Sequence, residues 1–108
     1  MDWRVTRTDT ESAVLMLDCP GLCWDTFPAL AEALLQDWEL RLLDREWGAD
    51  RHGWLLEFEG SQLRLEYEHH SGCWLTAVQP VDREVLFWLS GGGGMTLPFD
   101  DNGRWLNQ

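Results

Sequence analysis

Residues 54–68 read Trp54-Leu55-Leu56-Glu57-Phe58-Glu59-Gly60-Ser61-Gln62-Leu63-Arg64-Leu65-Glu66-Tyr67-Glu68, and this stretch decides the fold. Apolar and polar residues alternate on both sides of Gly60-Ser61, as they do in two half-buried strands. Gly60-Ser61 suits a two-residue turn of the II′ kind, with glycine supplying the positive φ at its first position. That turn sets Phe58 opposite Leu63, Leu56 opposite Leu65 and Trp54 opposite Tyr67 on one side of the sheet. The other side receives Glu57 across from Arg64, Glu59 across from Gln62 and Leu55 across from Glu66. One face is apolar and the other acidic, the pattern of an antiparallel sheet packed on one side only.

Upstream, the spacing predicts a helix after Asp25, whose carboxylate is placed to cap the first turn, with Pro28 inside that turn. Phe27, Leu30, Ala31, Leu34, Leu35 and Trp38 recur at helical intervals and form a buried stripe. Trp3 to Thr6, Ala13 to Leu17 and Leu40 to Trp47 read as further strands, the last closed by Gly48-Ala49-Asp50. His69-His70-Ser71-Gly72 reads as a turn and Cys73 to Val78 as a strand; the parity of that turn decides which face Trp74 takes. Pro80 and Gly91 bracket a second helix carrying Val81, Val85, Trp88 and Leu89; a buried strand over Val85 to Leu89 is the alternative. The resulting order, ββαββββα, describes an α+β two-layer sandwich, an antiparallel sheet with two helices on one face.

At 108 residues the chain is expected to form one α+β domain over residues 1–90. Residues 91–108 follow as a Gly-rich joint, Gly91 to Gly94, and a flexible C-terminal tail. Nineteen acids against eight bases, all of them arginine, give a net charge of −11, which argues against nucleic acid as a partner. No apolar run exceeds Val85 to Leu89, and no basic segment leads into an apolar one, so neither a membrane span nor a secretory signal is expected. Three cysteines, an odd number, with no export signal imply reduced thiols and a cytoplasmic setting. Eight tryptophans exceed what one core of this size hides, so one or two are expected at the surface.

Few constellations carry chemistry. Cys19 and Cys23 are spaced C-x₃-C, unlike a thioredoxin-type dithiol. With Cys73 and either His69 or His70 they compose a Cys₃His zinc set on paper, against a reading as half-buried cysteines and a solvated His-His turn. His52, His69 and His70 fall in expected turns, and no G-x-S-x-G elbow is present. Glu57, Glu59, Glu66 and Glu68 lie on an open sheet face, where nothing separates their pKa values as acid–base catalysis requires. That face reads as a solvated surface or as a docking surface for a basic protein. Mimicry of nucleic-acid phosphates is disfavoured, because Arg64 and Leu55 interrupt the acids.

Ser71-Gly72-Cys73-Trp74, the strand Trp54-Leu55-Leu56-Glu57 and the segment Val85-Leu86-Phe87-Trp88-Leu89-Ser90-Gly91 resemble a family of short, uncharacterised proteins from gamma-proteobacteria. The resemblance covers residues 1 to about 92. It implies a bacterial cytosolic setting and lends no functional residue. The expectation is therefore a non-catalytic protein–protein interaction domain without a cofactor. It binds an unknown basic protein partner through Leu55, Glu57, Glu59, Glu66 and Glu68. The alternative is a small enzyme or zinc-binding module built on Cys19, Cys23, Cys73 and a turn histidine such as His69.

Overall fold

Six strands and two helices follow the ββαββββα order in the computed structural model, which describes residues 2–93. The elements are β1 (Arg4–Asp9), β2 (Val14–Asp18), α1 (Phe27–Asp37), β3 (Arg41–Trp47), β4 (Arg51–Phe58), β5 (Ser61–Glu68), β6 (Gly72–Ala77) and α2 (Arg83–Trp88). All six strands join one antiparallel sheet in the order β1-β2-β6-β5-β4-β3. α1 carries the chain from β2 to the far edge at β3, and three successive hairpins bring it back until β6 pairs with β2. Among the described residues, no helix is long and apolar enough to cross a membrane.

The central hairpin departs from expectation at its turn. The turn residues are Glu59 and Gly60, both at positive φ (47° and 91°), as in a type I′ turn. Phe58 therefore pairs with Ser61, Leu56 with Leu63, Trp54 with Leu65 and His52 with Tyr67. The register moves by two residues. Because side chains alternate with period two, such a shift leaves every strand residue on its expected face. Its effect falls on the polar partners: Glu57 now faces Gln62, Leu55 faces Arg64 and Glu66 faces Gly53. Glu59 leaves the sheet face altogether. Ser61, freed from the turn, joins β5 and donates its hydroxyl to Asp82 Oδ1 at 2.9 Å.

α1 begins one residue later than its expected cap. Thr26, not Asp25, occupies the N-cap, and its hydroxyl faces backward, accepting the Cys23 N–H at 2.8 Å. Pro28 in the first turn needs no donor, and its fixed φ suits the helix start. At the other end, Leu40 N–H donates to the Leu35 carbonyl (2.8 Å) and Glu39 N–H to that of Gln36 (3.4 Å). This is a Schellman closure with Glu39, at φ 53°, in the position glycine usually takes.

The second helix also starts later. Pro80–Asp82 is a 3₁₀ turn, so Val81 is 84% exposed and lies outside the buried stripe, which instead uses Leu86 and Leu89. Val85 to Trp88 is helical, excluding the strand alternative. Leu89–Gly93 continues as a π-helical turn, so the chain does not leave the helix at Gly91. The tail lies outside the described residues.

Both helices pack on one side of the sheet. Leu15, Leu17, Trp54, Leu56, Leu63, Leu65, Tyr67, Cys73 and Leu75 meet Phe27, Leu30, Ala31 and Leu34 of α1 and Leu86 and Leu89 of the C-terminal helix. Each large side chain in this layer contributes about 1.5–3 kcal/mol by leaving water. His52, expected in a turn, is buried in β4 between Phe27 (ring centroids 4.7 Å apart, 17° between planes) and Trp24 (4.5 Å, 31°). Its Nε2 lies 2.9 Å from the Trp24 carbonyl, which can only accept, so Nε2 carries the proton. Both edge strands are bulged, β1 between Val5 and Arg7 and β3 between Leu42 and Asp44.

Candidate interaction surface

Among the described residues, no element covers the opposite face of the sheet. The paired rows Met16–Trp74–Glu66–Gly53–Glu46 and Val14–Thr76–Arg64–Leu55–Asp44 run across it from β2 to β3. Val14, Met16, Trp74 and Leu55 are half-buried there. The turn before β6 leaves Glu68 paired with Gly72, which settles Trp74 on this outer face opposite Glu66.

A polar network links β6, β5 and β3 across the face. Trp74 Nε1 donates to Glu66 Oε2 (3.2 Å), Arg64 Nε lies 3.7 Å from Glu66 Oε1, and Arg64 Nη2 donates to Glu46 Oε1 (3.1 Å). The guanidinium reaches β3 by passing over Gly53. A Cβ on Gly53 would stand 3.7 Å from Arg64 Nη2 and 3.5 Å from Glu46 Oε1, ordinary contact distances, so the crossing itself does not demand glycine. Arg41 pairs with Glu57, and Arg7 lies 3.7 Å from Asp9. The face is therefore patterned in both signs. Arg41 joins Arg64 as a counter-charge here through the pairing of β3 with β4, an adjacency that only the fold creates.

Of the expected interaction residues, Leu55, Glu57, Glu66 and Glu68 share this face. Glu59 does not: it stands exposed in the β4–β5 turn, beside a cleft between the two helix ends.

The zinc alternative fails on geometry. Among the described residues, no three His, Cys, Asp or Glu side chains are grouped to hold a metal ion. Cys73 is buried in β6 between Leu17 and Tyr67, while His69 and His70 pack on each other in the β5–β6 turn. Burial pushes the thiols of Cys19 and Cys73 up. Cys23 is exposed, and the Thr26 hydroxyl, aided by the N–H groups of Thr26 and Asp25, holds its thiol below the usual range. A thiol-specific disulfide reagent should thus titrate Cys23 promptly in the native protein. Cys19 and Cys73 should react at least ~100-fold more slowly, as the fold opens. All three should react at once in denaturant, and prompt native reaction of Cys73 would contradict its placement.

No curated protein and no solved structure matches this chain. Residues 3–92 match the family model described as Protein of unknown function (DUF3630), a span that takes in all six strands and α2. The chain belongs to that family.

Proposed function

We propose that this chain is a non-catalytic protein-binding domain that docks a basic protein partner on the uncovered face of its sheet. The observation that carries the reading is the apolar pair Met16–Trp74 together with Leu55, on the far side of Arg64, which both helices leave without cover. An apolar centre inside a charged rim is the usual anatomy of a protein interface. Arg41 lies against Glu57, and Arg64 against Glu66 and Glu46, so a partner meets a face already patterned in both signs. The net charge of −11 steers a basic partner toward the domain over distances that salt cuts to about 8 Å under physiological conditions. Three free thiols fit a cytoplasmic setting.

A photo-crosslinking side chain in place of Leu55, introduced in the native host, tests this reading. One dominant protein adduct should form, and its yield should fall as salt rises in the lysate. The same group in place of Val81, which is exposed but lies off the face, should not form it. Equal adducts from both positions, or none from Leu55, would refute the proposal.

A further inference from the structure

On the helix-covered side, a cleft of about 320 Å³ opens where the C-terminal ends of both helices meet the β4–β5 turn. Trp38, Phe58, Trp88 and Leu89 line it, together with the carboxylates Asp37, Glu39 and Glu59. Phe58 and Trp88 face one another with ring centroids 5.6 Å apart and planes at 37°. Trp38 is nearly buried and held edge-on by Trp3 at 5.2 Å. The Trp3 indole N–H donates to Asp37 Oδ2 at 2.6 Å, which fixes that carboxylate at the rim.

The charge balance here differs from that of the sheet face. Among the described residues, no arginine lines the cleft and none of the ion pairs involves Asp37, Glu39 or Glu59. Three carboxylates thus stand over aromatic walls with no cation supplied by the described residues. A planar guanidinium satisfies both requirements at once, because it stacks on aromatic faces and presents a fork of N–H donors to carboxylates. An ammonium is a compact point charge and meets only the second requirement well. The volume is at the small end of ligand sites, which run to roughly 300–1,000 Å³, and suits a side chain on a peptide better than a large ligand.

We propose that this cleft is a receptor pocket for an arginine side chain presented by a basic protein or peptide. The pocket is separate from the uncovered sheet face, so either site can fail without the other. A substitution at Leu55 leaves it intact.

The test is a titration of the full chain with a capped Gly-Arg-Gly peptide, followed by the indole N–H resonances of Trp88 and Trp38. Peptides with lysine or the neutral isostere citrulline serve as comparisons. The arginine peptide should shift the Trp88 resonance saturably, with lysine binding severalfold weaker and citrulline at least about tenfold weaker. Combining Glu39→Asn with Glu59→Asn should weaken the arginine peptide by at least about tenfold. Both positions have positive φ, which asparagine tolerates better than glutamate, so the variant should unfold no earlier than the parent chain. Trp88→Leu should also weaken binding while preserving an apolar wall. Equal binding of citrulline and arginine, or a Trp88 resonance unmoved at millimolar peptide, would overturn the proposal.

Discussion

Phe27→Ala should lower the unfolding free energy by about 3–5 kcal/mol, a large share of the roughly 5–15 kcal/mol that holds a domain of this size. Phe27 is fully buried and is the point where three elements converge. Its ring stacks on His52, meets Trp54 edge-on at 5.8 Å and lies 5.8 Å from Tyr67. Alanine would remove the surface on which the imidazole rests and open a cavity beside a side chain whose Nδ1 already has no hydrogen-bond partner. Urea denaturation should show a lower midpoint with an unchanged slope. A loss under ~1 kcal/mol would mean that the first turn of α1 does not anchor the sheet.

The second large effect is expected at Trp54, and it is best measured against Trp47. Trp54 is 2% exposed, sits opposite Leu65 in β4 and lies beneath the Arg45 guanidinium, 5.6 Å from its centroid. Trp54→Ala should cost about 3–5 kcal/mol. Trp47 ends the edge strand β3 at 64% exposure, so Trp47→Ala should fall within about 0.5 kcal/mol of the parent chain. The two substitutions make the same chemical change at positions on either side of the β3–β4 turn. Comparable losses would show that β3 is more deeply packed than its exposure indicates.

The apolar face of the sheet was legible from alternation alone, and it survived a register error because that error was two residues long. What misled the turn assignment was Glu59. Glutamate at positive φ costs about 1–2 kcal/mol, so local preference favoured starting the turn at Gly60. The fold overrides that preference by pairing Phe58 with Ser61 and seating Ser61 on Asp82. His52 was missed for a related reason. Arg51-His52-Gly53 carries turn-like residues, yet all three pair in β4, with Glu68, Tyr67 and Glu66 of β5. Strand order was out of reach, since the pairing of β2 with β6 joins segments more than fifty residues apart and leaves no local trace. The cleft between the helix ends was equally hidden: Asp37, Phe58 and Trp88 become neighbours only after α1 has crossed the whole sheet.

An open sheet is a template at both ends, and a copy of the same chain is the partner most often at hand. Here the outermost strand at each end breaks its own ladder, β1 at Val5/Arg7 and β3 at Leu42/Asp44. A bulge twists the free edge and displaces its donors and acceptors, and Arg41, Asp44, Arg45 and Glu46 put charge along the more exposed one. These features oppose end-to-end addition in both directions, and with it growth of the sheet into a fibril. Docking on the broad face proposed above would, by contrast, stop at a defined stoichiometry.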